Sequence, residues 1–338
     1  MSIGDTAQSV VRGYVALFKE STFGTYPATG ATGASSLEPI SCTFKVNIDS
    51  QKLDTISTNR GFSKRVQLGK SVTGTLDQFL HPHESVLMLA NALGGGIATS
   101  SLTGAYQHVI SAGQMDTAPA SLAFNVRKGD TQCFGYAGGR VNNVKITANV
   151  GEPVRVSYDF IFKDVTTTVS DISASLSLSS VLPMVFTGGV YRYSTTEALA
   201  DTTTSEERIQ SCELTVANNL HVGRALGSDV LQVLQPTRRN VQLTVTQRFD
   251  TMTSYNRFVQ ATVGSVILKF TGESLSAEYP YSMKIALPKV YLNAPDPDLS
   301  GTGDVLKQNI SFDVVVDNVN TSTGKDINIT VHNATASY

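Results

Sequence analysis

An internal repeat constrains this chain more than any other feature. Ser41-Cys42 recurs as Ser211-Cys212, and each dipeptide opens a strand-like run, Cys-Thr-Phe-Lys-Val in the first case and Cys-Glu-Leu-Thr-Val in the second. Phe79 recurs as Phe249 and Gly94 as Gly264, so all three anchors share one offset of 170 residues. A fixed offset of this kind marks a chain built from two copies of one unit. Between the Phe and Gly anchors each copy carries its one clear helix signal. In the first, Pro82 stands where a helix can spare an N–H. Val86, Leu89, Ala90 and Leu93 then share a face, and Gly94-Gly95-Gly96 stops the helix. In the second, Asp250 is placed to cap, and Met252, Tyr255 and Val259 make the face. The final runs, Val154–Phe162 and Gln308–Val316, align Asp159 with Asp313 at an offset of 154. The first copy is therefore about sixteen residues longer, with the extra length expected within 97–119.

Outside these helices, short alternating apolar and polar runs are separated by Gly, Asn, Asp and Pro, the pattern of a mainly β protein. Strands are expected over Cys42–Ile48, Val72–Leu76, Leu122–Val126, Val141–Val150, Val154–Phe162, Met184–Tyr193 and Cys212–Ala217. Further ones fall at Val241–Thr246, Val266–Phe270, Tyr281–Leu287, Lys289–Leu292, Gln308–Val316 and Ile327–His332. The domains are then 40–168 and 169–338, each with one short α-helix, joined through the Ser-rich stretch Asp171–Ser180. Residues 1–39 read as an extended N-terminal arm. Val10, Val11, Tyr14, Val15 and Phe18 form one apolar patch, and the Gly/Ala/Thr/Ser stretch after Gly24 cannot build a core. Val10, Tyr14 and Phe18 are thus expected to dock on neighbouring subunits.

Composition narrows the function. Of 338 residues only 16% are charged, against ~25% for an average soluble protein. A weakly charged surface on a long chain points to burial against other subunits. The net charge of -2 excludes a protein that clamps nucleic acid through phosphate contacts. No apolar run reaches the ~18 residues of a membrane span. Met1–Gln8 has neither the basic nor the apolar region of a secretory signal. Cys42, Cys133 and Cys212 form no C-x-x-C pair and are expected as reduced thiols in a protein made in a cytoplasm.

No catalytic set can be assembled, and no metal or cofactor is expected. His81-Pro82-His83 has no further ligand at metal spacing and reads as the turn that opens a helix. Asp296–Asp304 begins like a calcium loop, but Lys307 stands where a bidentate Glu is needed, so a polar hairpin loop is expected. Leu68-Gly69-Lys70-Ser71 lacks the earlier Gly of a phosphate loop, Lys64 being there instead. The sequons at Asn309, Asn320, Asn328 and Asn333 are accidents of an Asn/Thr-rich tail. Two charged loops fall at the same point of both copies. One holds Arg60, Lys64, Arg65 and Lys70; the other holds Arg224, Asp229, Arg238 and Arg239. Arg60, Lys64, Arg65, Arg224, Arg238 and Arg239 are expected to reach acidic groups of an adjacent subunit.

Glu20-Ser-Thr-Phe-Gly-Thr-Tyr-Pro27 resembles the Glu-x-x-x-Gly-Thr-x-Pro segment near the start of phage tail tube proteins, and Arg208–Asn219 resembles the strand that opens their second half. The resemblance is closest to the major tail tube proteins of long-tailed, non-contractile (siphovirus-type) phages, and among them the Chi-like group. It implies two tandem, pseudo-equivalent β-sandwich domains whose sheets join sideways into rings. The rings stack into the hollow tube through which the genome leaves the capsid. With two domains per chain, six positions around an axis are filled by a homotrimer. Implied partners are further copies of the chain, a tape measure protein and a tail terminator protein. Double-stranded DNA passes without specific binding, through a lumen expected to be richer in Asp and Glu, and no membrane takes part. The location implied is the virion tail. Two other classes fit the same residues: a minor ring component such as a terminator, and a carbohydrate-binding or adhesive β-sandwich.

Overall fold

The computed structural model describes the chain except residues 1–12, 28–33, 55, 57–60, 63, 114–118, 205–207, 294–304 and 318–324. Its first half holds β1 (Tyr14–Lys19), β2 (Ser35–Leu37), β3 (Pro39–Cys42), β4 (Lys45–Leu53), β5 (Lys64–Phe79), α1 (Ser85–Leu93), β6 (Gly94–Leu102), β7 (Ala105–Ala112), β8 (Leu122–Lys128), β9 (Gln132–Asn149), β10 (Arg155–Phe162) and β11 (Asp164–Thr166). The second half holds β12 (Gly189–Ser194), α2 (Glu197–Thr202), β13 (Ile209–Ala217), β14 (His221–Gly223), β15 (Val233–Gln235), β16 (Asn240–Arg248), α3 (Thr253–Val259), β17 (Gly264–Ser274), β18 (Pro280–Asn293), β19 (Lys307–Val314) and β20 (Asn328–Asn333). The fold is mainly β, as the alternation predicts, but the second half holds two short helices where the sequence predicts one, α2 being the addition, opened by Thr196, whose side chain accepts the Leu199 N–H.

Eighteen strands form one hydrogen-bonded network that folds over at two of its long strands, β9 and β18. A shared sheet runs β4–β5–β10–β9–β13–β16–β19–β18, with β3 beside β5. The early part of β9 leaves it for a layer ordered β2–β1–β8–β9–β11. The early part of β18 leaves it for a layer ordered β12–β17–β18–β20–β7–β6. Side chains interdigitate between the layers. Phe124 on β8 packs edge-on to Phe160 and Phe162 of β10 at 5.0 and 5.8 Å, with Phe44 against Phe162 at 4.7 Å. Across the other pair of layers Tyr193 meets Phe312 at 6.3 Å.

The same local pairings occur in both halves. Cys42 lies opposite Leu76, and Cys212 opposite Val245. Buried Gln78 donates to Ser85 Oγ at 3.2 Å, and buried Gln247 to Ser254 Oγ at 3.2 Å. The Leu80 N–H donates to Val154 O, and the Phe249 N–H to Leu306 O. In this register Phe249 stands at the place of Leu80, not of Phe79, whose place Arg248 takes. Asp159 likewise falls at the place of Ser311 rather than Asp313. The extra length of the first half is the hairpin β6–β7, which pairs through β7 with β20.

Several expectations change. The segment from Tyr14 is not a free arm but a strand between β2 and β8, buried on both faces. Val15 and Leu17 join the main core, while Ala16 and Phe18 face a smaller cluster with Ala123 and Ile172. A strand buried on both faces reads as a continuous apolar run, which hides its period of two. Within the Ser-rich stretch Ile172 is buried and closes that cluster, while most of the stretch is exposed. Pro288 does not divide the 281–292 region. It falls between the paired residues Leu287 and Val290, where the register of β18 shifts and a missing N–H is harmless. Asp250 is not the cap of α3, which begins after Met252 with no side-chain cap; Asp250 instead lies 3.9 Å from Arg208. Nor do Met252 and Val259 form a buried face, because Ser254 alone is buried on that helix.

Glu20 explains the Glu-x-x-x-Gly segment. Its buried carboxylate accepts the Gly138 N–H at 2.7 Å, the Gly24 N–H at 2.9 Å and the Ser121 hydroxyl at 2.5 Å. Gly138 (φ 70°) is the bend at which β9 changes layers, and Gly24 (φ 72°) turns the chain beside it; both conformations favour glycine. Glu20→Ala leaves these donors without a partner and is expected to cost about 3 kcal/mol, whereas Glu20→Gln retains part of the set; urea unfolding at neutral pH checks the order.

Candidate assembly interface

The two halves meet edge to edge. Ser211–Ala217 of β13 pair antiparallel with Asn149–Asn143 of β9. Beyond the ladder, the Asn218 N–H donates to Asn142 O at 2.8 Å, and its side-chain amide donates to Ala92 O at 2.8 Å and Val141 O at 2.9 Å. Arg239 donates to Leu93 O at 3.1 Å and binds the Asp326 carboxylate through two bonds of 2.8 Å. Of two carbonyls at the C-terminal end of α1, which lack partners inside the helix, that of Ala92 is satisfied by the second half, and that of Leu93 is shared between Arg239 and the Gly113 N–H at 2.7 Å.

One face of the shared sheet is largely polar. Thr73, Thr75 and Asp77 of β5, Ser157 and Asp159 of β10, and Asn143, Lys145 and Thr147 of β9 alternate with buried apolar residues. Across the joint the face continues through Ser211, Glu213 and Thr215, then Gln242, Thr244 and Thr246, then Asn309, Ser311 and Asp313. Lys145 bridges Glu213 at 2.8 Å across the joint. Asp77, Asp159, Glu213 and Asp313 share this face with Lys45, Lys145, Arg155, Arg248 and Lys307, so it carries no acidic excess.

At the β4 end of the sheet, β4 and the sixteen-residue β5 extend past the layers as a two-stranded hairpin. Lys64 and Arg65 are exposed near its tip, where Arg65 donates to Ser50 Oγ at 2.7 Å. Val46, Ile48, Val66 and Leu68 are exposed nearer its base. The alternation of apolar and polar residues from Lys45 to Ile48 was the signal for this ribbon. Arg224 bonds Asp49 at 2.8 Å and the Lys70 carbonyl at 3.4 Å. Arg238 is exposed, and its carbonyl accepts from Asn219. Of the residues expected at subunit contacts, Arg224 and Arg239 thus have acidic partners within the chain. Tyr14 is committed inside, donating to Asn125 Oδ1 at 3.3 Å and accepting the Ile172 N–H, and Phe18 is buried. Lys64, Arg65 and Arg238 stay at the surface. Val10, Arg60 and the Asp296–Asp304 loop lie outside the described residues.

The turn that opens α1 ties four segments together. Asn333 donates to Pro82 O at 3.0 Å, the Tyr338 hydroxyl to His83 O at 3.0 Å, and the Glu38 N–H to Glu84 Oε2 at 3.2 Å. His81 Nδ1 lies 3.2 Å from Val181 O. His83 and Glu84 line a cavity of about 650 Å³ with Phe18, Lys19, Ser36, Ser177 and Tyr338. Burial pushes the Glu84 carboxyl up to about 7 and, with neighbouring His81, the His83 imidazole down to about 4. Among the described residues no group of three or more His, Cys, Asp or Glu is arranged to hold a metal.

The two halves thus form layered β-sheets joined edge to edge, with a projecting hairpin. The family model described as phage tail tube protein matches residues 11–314, and the chain belongs to that family. It is therefore a structural component of the virion tail. No curated protein matches the sequence.

The cavity gives a pH prediction. Glu84 binds its proton more tightly folded than unfolded, so its contribution to stability is full below about pH 4.5 and is lost as pH rises through about 7. His83 has the opposite sign: its contribution is full above about pH 6.5 and is lost as pH falls toward 4. Glu84→Gln is expected to exceed the parent by about 2 kcal/mol at pH 8 and to match it near pH 4.5; urea midpoints at the two pH values check this.

Proposed function

We propose that the protein polymerises as stacked rings into the hollow tail tube and forms the conduit for genome ejection. The β9·β13 joint carries this reading. Its strands belong to two halves with matching pairings: β1 flanks β8 as β12 flanks β17, and β5 pairs β10 as β16 pairs β19. The halves are two pseudo-equivalent tail-tube domains, the first beginning at β1 and the second at β12. An edge that is satisfied once within the chain repeats between chains, and six domains supplied two at a time close a homotrimeric, pseudo-hexameric ring. The polar face of the shared sheet suits the lumen. It is rich in Thr, Ser and Asn and holds about as many acidic as basic groups, in place of the acidic excess expected from sequence, so it has little net positive charge to hold phosphates.

In the non-contractile, siphovirus-type tail that the sequence resembles, this tube encloses a tape measure protein and ends at a terminator. Double-stranded DNA passes through without specific contacts, and synthesis takes place in the host cytoplasm. The hairpin tip, with Lys64 and Arg65, reaches acidic groups of the adjacent ring; Arg238 serves the lateral contact.

Helical reconstruction of purified tubes is expected to show three chains per ring, and six would overturn the trimer. Charge reversal of Lys64 and Arg65 together is expected to leave thermal unfolding unchanged and to slow tube growth by at least about tenfold at low salt, measured by turbidity and electron microscopy. Unchanged growth would assign the tip to solvent.

A further inference from the structure

Helix α3 presents an apolar surface at its C-terminal end that the described residues do not cover. Phe258, Val259 and Val263 are between 36% and 63% exposed. Its counterpart α1 buries Val86, Met88, Leu89, Ala92 and Leu93. The difference has a local cause. The C-terminal end of α1 is covered from the second half by Asn218 and Arg239, which donate to the carbonyls of Ala92 and Leu93. The register that places Cys212 at the position of Cys42, and Gln247 at that of Gln78, places Asn218 at the position of Ile48 and Arg239 at that of Lys70. The segment matching the cover of α1 is thus the base of the β4–β5 hairpin.

That base cannot reach its own α3. The hairpin stands at the β4 end of the shared sheet, while α3 packs on β18 at the other end. At the base, Val46, Ile48 and Leu68 are 41%, 53% and 58% exposed, an apolar group matching the one on α3. The geometry points to a lateral contact between two copies of this chain, in which Val46, Ile48 and Leu68 of one copy cover Phe258, Val259 and Val263 of the next. The contact rests on the ring reading and gives it residues. It is heterologous, so each copy offers one of each surface and a rotation that closes produces a ring. Each patch is small, which keeps the free chain from presenting a wide apolar area.

The test places Ile48→Cys and Val259→Cys in one chain, allows assembly, and oxidises mildly. Covalent multimers on a non-reducing gel, absent from either single-cysteine chain, are expected. The native Cys42, Cys133 and Cys212 are present in all three samples and set the background. A second variant, Val259→Asp, alters a residue already exposed in the single copy. It is expected to unfold at the same temperature as the parent and to lose tubes by at least about tenfold. Tubes of normal yield from Val259→Asp, or tubes from the double-cysteine chain with no multimers above background, overturn the contact and leave the ring reading standing. A parent chain that never assembles overturns both.

Discussion

A buried carboxylate holds the bend on which the layered architecture depends. Removing Glu20 from water is unfavourable unless its oxygens find donors, and they find three, from Gly138, Gly24 and Ser121. Charge-assisted bonds of this kind are stronger than neutral ones. They fix β9 where it passes from one layer to the other. The early part of β9 can then pair β8 and β11 while its later part pairs β10 and β13. The same turn brings Phe23 against Arg140 at 4.8 Å and Lys163 at 5.4 Å, which closes the bend from outside.

From that bend follows the treatment of edges. A strand edge carries unpaired backbone donors and acceptors that seek another strand. Within the chain the edge of β9 is met by β13, and the edge of β20 by β7. The hairpin β6–β7 has no equivalent in the second half, where α3 leads directly into β17. The two halves therefore share pairing rules while differing in what they leave open. The first projects a long ribbon, and the second leaves a short helix with its apolar side outward. Membership of the tail tube family suggests a chain that assembles with copies of itself.

Much of this was legible in the chain. The Ser-Cys anchors lie at equivalent ladder positions because backbone pairing constrains register tightly where one face is buried. The Phe anchors do not, since aromatic residues are common beside helix turns and a match of one letter carries no register. The Glu-x-x-x-Gly segment was visible as a motif, but its use was not, because Gly138 lies more than a hundred residues away in sequence. Arg224 and Arg239 were recognisable as charged-loop residues; that Asp49 and Asp326 answer them inside the chain is long-range geometry.

By itself, the sequence determined the mainly β class, the helix over Val86–Leu93 with its glycine stop, the place of the extra length, and the absence of charge from most of the surface. These depend on local periodicity, on backbone preferences and on composition, which act within a few residues. Tertiary structure alone decided that β1 is core and not arm, that β9 and β18 each serve two layers, and that the apolar residues of α3 face outward. The reason is the same in each case: burial and ladder partners are properties of strands brought together from distant parts of the chain, and one residue pattern fits either side of a sheet until its neighbours are in place.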